Sequence, residues 1–260
     1  MLNARCALVT GATQGIGLAV AERLAAAGAD VVLHGIEPRS QGDAVAARLA
    51  AAHGVRCAYV AADLLDADAA AGLVQRAEAA LRPIDILVNN AGIQHTSPIE
   101  AFPTDRWHAI VAVNLSAAFF TMRAAVPGMR ARRWGRIVNI ASVHGLVASV
   151  NKAAYLAAKH GLVGLSKGVA LETATDGITV NCICPGWTDT PIIVPQIEAR
   201  AARFGGDRDA AVRDLLREKQ PNLTLLPPGR IGDVAVFLCG EAAAGITGVA
   251  LPVDGGWTAQ

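Results

Sequence analysis

The sequence of 260 residues has few aromatic and few charged residues, and its charges nearly cancel. Aromatic residues make up 4% of the chain and charged residues 17%, whereas about 25% of the residues are charged in a typical domain. A core with few aromatic rings is filled mainly by Ala, Val, Leu and Ile, which is typical of parallel strands covered by Ala-rich helices. These shortages argue against a β-sandwich or a nucleic-acid stacking platform, and a hydrophobic share of 53% excludes disorder as the main state.

The sequence also lacks a basic block, since 23 basic residues face 22 acidic ones. We therefore expect no nucleic-acid partner. The densest basic stretch contains Arg130, Arg132, Arg133 and Arg136 beside Trp134. A phosphate-binding patch is one interpretation of it, but arginines near a helix C-terminus usually complement the helix dipole, and we favour that interpretation.

No apolar run in the sequence reaches the roughly 18 to 20 residues of a membrane span, and no signal-peptide pattern follows Met1. We expect a cytoplasmic protein without a membrane partner. Five cysteines are scattered through apolar segments, which favours reduced core thiols over a disulfide framework. Cys182 and Cys184 point to one face of a predicted strand and are interpreted as core residues, so no metal site is predicted.

Short apolar runs alternate with helix-forming stretches along the whole chain. The runs predicted as strands are residues 7–9, 30–33, 57–60, 84–88, 136–140, 179–183 and 248–253. Strands that alternate with helices imply right-handed βαβ units. The sequence therefore predicts an α/β fold with a doubly wound parallel sheet of about seven strands, in a single domain over residues 1–260.

One insertion, at about residues 188–228, interrupts this alternation. It is charged and helix-forming, contains Gly205 and Gly206, and stops at Pro227 and Pro228. Because it follows the carboxyl end of a predicted strand, it can cover the crevice where open α/β sheets bind ligands, and we predict a helical substrate lid. A packed helical hairpin or a subunit contact remains the alternative.

A glycine-rich turn follows the first predicted strand and leads into a helix-forming stretch. Its glycines are Gly11, Gly15 and Gly17, in the spacing G-x-x-x-G-x-G. Such a turn lets backbone amides at a helix N-terminus hold a pyrophosphate. A purely structural strand-to-helix turn is the alternative, but the position after the first strand indicates a nucleotide site.

Several further motifs share the order and spacing of one family. They are Asn89-Asn90-Ala91-Gly92, Ser142, Tyr155-x-x-x-Lys159 and Pro185-Gly186. With the glycine-rich turn they resemble the short-chain dehydrogenase/reductase family from about Arg5 to the ending Asp254-Gly255-Gly256. The resemblance implies one Rossmann-type domain, a nicotinamide dinucleotide and a homotetramer. It implies cofactor contacts from Gly11, Thr13, Gln14, Gly15, Ile16, Gly17, Gly35, Asp63, Leu64, Asn90, Ala91, Gly92, Tyr155, Lys159, Pro185, Gly186, Trp187 and Thr190.

The choice between NAD and NADP depends on charge near the ribose 2′ position. In this family the informative positions correspond to Gln14 and to the end of the second strand, His34-Gly35-Ile36, and neither supplies an Arg or a Lys. The Asp by which the family usually selects NAD is missing at that strand end, and Arg39 lies a few residues on. We predict NAD. The resemblance also implies that Asp63 meets the adenine amino group, with a helix N-cap as the alternative.

Hydride transfer from a secondary alcohol leaves a proton to be moved, and Tyr155 is the candidate for moving it. Lys159 lies one helical turn further on, and its ammonium is expected to lower the pKa of the phenol. Ser142 is expected to donate a hydrogen bond to the substrate oxygen. The resemblance implies that Asn114 completes the catalytic set by holding a water in the proton relay. A surface Tyr–Lys pair and an ordinary turn serine are the alternatives. A serine hydrolase is excluded because no G-x-S-x-G elbow surrounds Ser142.

Within the family, stretches near residues 90–96, 144–152 and 184–187 are similar to enzymes that act on a small 3-hydroxy acid. The similarity implies that Gln94, His144, Lys152 and Gln196 bind the substrate carboxylate, beside Ser142 and Tyr155, and that Trp187 and Trp257 enclose its methyl end. We expect reversible NAD-dependent oxidation of (R)-3-hydroxybutyrate to acetoacetate. Another small hydroxy acid or sugar as substrate, or a non-catalytic NAD(H)-binding sensor, remains the alternative.

Overall fold

Seven parallel strands form the central sheet of the computed structural model, which describes residues 2–259. The strands are β1 (Cys6–Val9), β2 (Asp30–Gly35), β3 (Cys57–Ala61), β4 (Ile86–Asn89), β5 (Gly135–Ile140), β6 (Ile178–Pro185) and β7 (Ala250–Val253). Their order across the sheet is β3-β2-β1-β4-β5-β6-β7. The predicted doubly wound parallel sheet in a single domain is confirmed, with residues 1 and 260 of the predicted range outside the described residues.

The chain reverses its direction of winding between β1 and β4, which are neighbours in the sheet. β1 pairs with β2 on one side and with β4 on the other, so Ala7 lies opposite both Val31 and Ile86. In an open α/β sheet such a reversal separates two loops at the carboxyl edge and leaves a crevice between them. The topology therefore places a binding crevice beyond Val9 and Asn89.

Helices cover both faces of the sheet. They are α1 (Gly15–Ala26), α2 (Arg39–His53), α3 (Ala67–Ala71), α4 (Leu73–Ala80), α5 (Thr104–Val111), α6 (Ala117–Ala131), α7 (Ala153–Thr173), α8 (Val194–Ala201), α9 (Arg208–Lys219) and α10 (Pro228–Cys239). Successive strand residues point to opposite faces. Val9 therefore packs in a core cluster with residues of α1, α2 and α10, and Leu8 packs with residues of α3, α4, α6 and α7.

The stretch from α5 to α6 contradicts the expectation that no apolar segment is as long as a membrane span. A π-helical turn (Ala112–Ser116) joins the two helices into one continuous helix of 28 residues, with a mean hydropathy of 1.6 over 18 of them. By length and composition alone it is long and apolar enough to cross a membrane. In the fold, Met122 and Met129 of this helix belong to the same buried cluster as Ile137 of β5, so it is a core helix of the sheet.

The arginine-rich stretch at residues 130–136 is used within the fold. Arg130 and Arg133 both contact Asp176, at 2.6 and 3.3 Å. Arg136 is buried, and its guanidinium carbon lies 4.5 Å from the centroid of the Trp134 ring. Ion pairs and stacking therefore occupy these arginines within the fold, and Arg130 also lies in the last turn of α6, where the helix-dipole interpretation places it.

The five cysteines are all free, as predicted, and burial raises the pKa of three of them, Cys6, Cys184 and Cys239, to about 12. A buried thiol with such a pKa stays protonated and unreactive.

The insertion at 188–228 folds over the carboxyl edge of the sheet. It contains a short 3-10 turn (Pro191–Ile193) followed by α8 and α9. Ile197 of α8 and Leu215 of α9 share a buried cluster with Trp187 and Trp257. The segment is therefore both a packed helical hairpin and a cover over the crevice, and its movement as a lid remains a prediction.

Candidate active site

A cleft of about 400 Å³ lies at the carboxyl edge of the sheet, below the insertion. All of the predicted site residues line it except Gly17, Asn114 and Gln196. The carboxyl ends of parallel strands meet at one edge, so loops distant in sequence converge there. The roles of these site residues remain predictions, and their geometry determines what each side chain can do chemically.

The glycine-rich turn is held in a conformation that only small residues permit. Gly11 and Gly15 have φ values of +62° and +56°, and a Cβ on Gly17 would collide with the carbonyl of Gly11. The side-chain amide of Asn90 donates to the carbonyls of Thr10 and Gly11, at 2.9 and 3.0 Å. The turn therefore brings its backbone close to the start of α1, where amides can hold a phosphate.

His34 ties this turn to the neighbouring strands, a role that the sequence did not reveal. Its Nδ1 accepts from the backbone N–H of Gly11 at 3.2 Å, and its Nε2 lies 3.1 Å from the carbonyl of Ala62. This arrangement requires a neutral ring with the proton on Nε2. Burial lowers the pKa of His34 to about 4, because the charged form loses its hydration.

Glu37 is a second residue that the sequence reasoning missed. Its Oε1 accepts from the Thr13 hydroxyl at 2.7 Å, and its backbone carbonyl accepts from the Tyr59 hydroxyl at 2.8 Å. Its Oε2 is buried without a hydrogen-bond donor among the described residues and lies against Gly35. A carboxylate oxygen in this position fits the ribose hydroxyls of a dinucleotide. The crowded glycine turn and this carboxylate together fit the implied cofactor.

Asp63 lies at the same end of the cleft and is exposed. Its carboxylate accepts from the backbone N–H of Leu65 at 2.9 Å. The N-cap of α3 is Asp66, which accepts from two backbone N–H groups. The helix N-cap alternative for Asp63 is therefore wrong, and contact with adenine stays a prediction.

Tyr155 and Ser142 reach the cleft from adjacent elements. Ser142 follows β5 and caps a 3-10 turn (Val143–Gly145), whereas Tyr155 is in the first turn of α7. The expectation that the pKa of the phenol is lowered is wrong for this structure. Burial raises the pKa of Tyr155 to about 12, and a hydrogen bond with Ser142 only partly opposes that rise.

The position of the Lys159 ammonium explains why it does not lower the pKa of the Tyr155 phenol. Its ammonium donates to the carbonyl of Ile140 at 2.7 Å and lies 5.6 Å from the centroid of the Tyr155 ring. Burial lowers the pKa of Lys159 to about 8. The phenol is therefore neutral here, which suits it to protonate a ketone oxygen.

Asn114 lies behind the cleft, in the π-helical turn. Its side-chain amide accepts from the N–H of Ile93 at 2.9 Å and donates to the carbonyl of the same residue at 3.0 Å. A cavity of about 10 Å³ is lined by Asn114 and Lys159, which is about the space that one water needs. The predicted water relay is compatible with this cavity and remains a prediction.

The other end of the cleft contains a buried ammonium without a carboxylate partner and two buried N–H donors without acceptors among the described residues. Lys152 is 6% exposed, and its ammonium donates to the side-chain carbonyl of Gln196 at 3.1 Å. Within residues 2–259 no carboxylate lies within 4.0 Å of this ammonium, and burial lowers the pKa of Lys152 to about 8. Gln94 Nε2 and Trp187 Nε1 are buried without a hydrogen-bond partner in the same part of the chain. Such donors fit a small anion.

Aromatic rings close this end. The ring centroids of Trp187 and Trp257 are 5.5 Å apart, and the His144 ring lies 5.4 Å from Trp257 and 5.9 Å from Tyr155. Gln220, for which the sequence predicted no role, is fully buried and accepts from the backbone N–H of Trp187 at 2.8 Å. The insertion thus holds one wall of the cleft in place.

We expect the two buried histidines to make the protein sensitive to acid. Burial lowers the pKa of His34 to about 4 and that of His144 to about 3, whereas an unfolded histidine titrates near about 6.5. Between these values the unfolded chain binds more protons, so stability is complete above about pH 6.5 and falls as the pH decreases. At pH 5 each of the two histidines lowers the free energy of unfolding by about 2 kcal/mol relative to its value above about pH 6.5.

Urea unfolding at pH 7.5 and pH 5 measures this loss. His34→Asn should reduce the loss by about 2 kcal/mol, while the same change at the exposed His53 at the end of α2 should leave it unaltered. An equal loss in all three proteins would contradict the assignment.

A Rossmann-type sheet with Tyr155 and Lys159 on one helical turn at its carboxyl edge defines a dinucleotide-dependent oxidoreductase. The chain matches the family model described as short chain dehydrogenase over residues 5–201. The protein belongs to the short-chain dehydrogenase family, as the sequence motifs predicted, and this family binds nicotinamide cofactors.

Two curated relatives carry the same name. The chain is 50% identical to a D-beta-hydroxybutyrate dehydrogenase of Cupriavidus necator over the full length of both chains. It is 43% identical to a D-beta-hydroxybutyrate dehydrogenase of Rhizobium meliloti, over 98% of this chain and 99% of the relative. Among solved structures, the L-sorbose reductase of Gluconobacter frateurii complexed with NADPH and L-sorbose aligns with a TM-score of 0.94 at 32% identity, covering 100% of this chain and 98% of that one.

Proposed function

We propose that this chain is an NAD-dependent dehydrogenase that interconverts (R)-3-hydroxybutyrate and acetoacetate. The observation that carries the proposal is the buried ammonium of Lys152, which has no carboxylate partner within residues 2–259 and lines the same cleft as Tyr155. The names of the two relatives at 50% and 43% identity support this substrate.

The substrate would lie between two residues of the same helical segment. Lys152 is the N-cap of α7, and Tyr155 lies three residues further on. A four-carbon 3-hydroxy acid has a carboxylate at one end and a hydroxyl two carbons away, so it can reach both side chains. Gln94 and Gln196 add neutral amide groups at the carboxylate end, while Trp187 and Trp257 limit the length of the substrate. His144 was also predicted to bind the carboxylate, but both of its ring nitrogens lie within hydrogen-bond distance of serine hydroxyls, so we assign it to the orientation of Ser142 instead.

Tyr155 and Ser142 act on the substrate oxygen. In the reducing direction the phenol of Tyr155 gives its proton to the ketone oxygen and becomes a phenolate, and in the oxidising direction that phenolate takes the proton of the hydroxyl. Ser142 donates a hydrogen bond to the same oxygen, where negative charge develops. A bound nicotinamide would supply the hydride chemistry at the carbon that carries this oxygen. The ammonium of Lys159 lies 5.6 Å from the centroid of the Tyr155 ring and donates to the carbonyl of Ile140. Its positive charge opposes the cost of forming the phenolate but does not outweigh the burial that keeps the resting phenol neutral.

The preference for NAD rests on charge at the adenosine end. Glu37 presents a buried, unpaired carboxylate oxygen there, which accepts hydrogen bonds from ribose hydroxyls and repels a 2′-phosphate. Gln14 and Gly35 supply no positive charge, and Arg39 is exposed and pairs with Asp43 at 3.3 Å. The L-sorbose reductase was solved with NADPH, so this preference needs its own test.

We expect kcat/KM with NAD to exceed that with NADP by at least about tenfold, or about 1.4 kcal/mol. Glu37→Gln should narrow this ratio, because it removes the charge that repels the 2′-phosphate. Fluorescence titration with NADH and NADPH measures binding without turnover. Glu172→Gln, at an exposed position, is the control. Equal efficiency with both cofactors would contradict the preference.

We also propose that the chain forms a homotetramer and works in the cytoplasm. Partly exposed aromatic rings on α5 and α6, Trp107 and Phe119, offer apolar surface for assembly, and reduced thiols are typical of cytoplasmic proteins. Light scattering tests the mass against four times the 26.7 kDa of one chain.

A substrate screen separates this proposal from its alternatives. It uses both enantiomers of 3-hydroxybutyrate, a longer homologue, a sugar acid, L-sorbose and acetoacetyl-CoA, each with NAD(H) and NADP(H). The proposal requires that the (R) enantiomer be preferred. Efficient turnover of L-sorbose alone would favour a sugar reductase, for which the similarity to the L-sorbose reductase is the supporting observation. NADH that binds but is not oxidised by any ketone would favour a sensor.

A further inference from the structure

The ring of His144 connects two serine hydroxyls. Its Nδ1 lies 3.3 Å from Ser142 Oγ, and its Nε2 lies 3.0 Å from Ser149 Oγ. The backbone N–H of His144 also donates to Ser142 Oγ, at 3.1 Å. His144 is 4% exposed, and the rings of Tyr155 and Trp257 pack edge-on around it. Its ring therefore has a defined orientation between the two hydroxyls.

The three side chains Ser142, His144 and Ser149 have few hydrogens to share among their hydrogen bonds. Burial lowers the pKa of His144 to about 3, so the ring is neutral at working pH and has one N–H and one acceptor nitrogen. Each serine hydroxyl has one hydrogen to donate and can accept two hydrogen bonds. Which ring nitrogen carries the proton therefore decides where the hydrogen of Ser142 can point.

The two tautomers have opposite consequences for Ser142. With the proton on Nδ1, Ser142 Oγ accepts from that N–H and from the backbone N–H, so its own hydrogen must point to another acceptor. With the proton on Nε2, Ser142 must give its hydrogen to Nδ1 to keep the contact. Only the first tautomer leaves Ser142 able to donate to the substrate oxygen.

We propose that Ser149 is a positioning residue, whose hydroxyl donates to His144 Nε2 and thereby holds the ring proton on Nδ1. Within the described residues the Ser149 hydroxyl makes no other hydrogen bond, so its hydrogen is available for this contact. Ser149 thus keeps the hydrogen of Ser142 directed toward the substrate oxygen without touching the substrate itself. The inference rests on the proposed role of Ser142 as the donor.

Kinetics with three variants test the consequence. Ser149→Ala should lower kcat about five- to tenfold, the bias that one ordinary hydrogen bond sustains, while the Michaelis constant and the affinity for NADH stay within about twofold. Ser149→Thr keeps the hydroxyl and should restore kcat. Ser97→Ala is the matched control, because Ser97 contacts the same segment through its backbone N–H to Asn151 and should leave kcat unchanged. An unchanged kcat in Ser149→Ala overturns the proposal.

Solid-state ¹⁵N NMR of histidine-labelled protein reads the tautomer directly and needs no turnover. Correlation through Cγ identifies Nδ1, and His144→Asn assigns the signals of this residue. We expect a protonated Nδ1 in the unsubstituted protein and in Ser149→Thr, and a shift toward protonated Nε2 in Ser149→Ala. A protonated Nε2 in the unsubstituted protein, or the same tautomer in Ser149→Ala, overturns the proposal. Failure to oxidise 3-hydroxybutyrate would refute the substrate and leave the tautomer result intact.

Discussion

Tyr155→Phe is expected to lower kcat by about 10² to 10⁴-fold, the usual contribution of a positioned acid or base. The substitution removes the hydroxyl that exchanges the proton with the substrate oxygen and keeps the ring that packs on His144. The affinity for NADH should change little, because the proposed nucleotide contacts are mainly in the glycine-rich turn and around Glu37, and the substitution keeps the ring of Tyr155. Steady-state kinetics over a range of pH and fluorescence titration with NADH measure the two effects.

Lys159→Ala provides the contrast. Its buried ammonium holds the carbonyl of Ile140 at the end of β5 and lines the cleft, so its loss should reduce both turnover and cofactor binding. Near-normal turnover by Tyr155→Phe at every pH would show that another group moves the proton.

Lys152→Ala is expected to reduce kcat/KM for (R)-3-hydroxybutyrate by about 10 to 150-fold, since a hydrogen bond to a charged group contributes about 1.5 to 3 kcal/mol. The effect should be largest for substrates with a carboxylate and small for a neutral ketone of similar size. The comparison of the two substrates separates loss of anion recognition from damage to the fold.

Lys167→Ala is the matched control, because Lys167 lies on the same helix and is exposed. Gln94→Ala tests the neighbouring donor, whose Nε2 is buried without a partner within the described residues. If Lys152→Ala and Gln94→Ala both leave the kinetics with 3-hydroxybutyrate unchanged, the carboxylate is bound elsewhere and the proposed substrate loses its main physical support.

All seven strands could be predicted because each is a short apolar run between helix-forming stretches. The five inner strands β2, β1, β4, β5 and β6 are buried almost throughout, a pattern that parallel sheets impose directly on the sequence, whereas the edge strands β3 and β7 are only partly buried. The ends of the strands were less predictable. The prediction began the fourth strand at residue 84, whereas β4 is Ile86–Asn89, and it ended the sixth at residue 183, whereas β6 extends to Pro185. A strand ends where its neighbour stops pairing with it, and the partner is not visible in a local stretch of sequence.

The long helix from Thr104 to Ala131 shows a different limit. Asn114 and Ser116 interrupt the apolar pattern, so the sequence suggested no continuous span. In the structure both residues lie in the π-helical turn, and the side chain of Asn114 forms hydrogen bonds with the backbone of Ile93. The partner that satisfies Asn114 lies 21 residues away in the chain and is not visible in the local sequence.

The sequence by itself determined the sheet, the glycine-rich turn and the family, because these depend on local patterns and on motifs in a recognisable order. Only the tertiary structure decided the partners of Glu37, Gln220 and Ser149, and it reversed the expected pKa shift of Tyr155. The contact between Gln220 and Trp187 joins residues 33 apart in the chain. The pKa of the phenol depends on how deeply it is buried and on where the ammonium of Lys159 points. Both are properties of packing in three dimensions, which residue spacing along the chain does not specify.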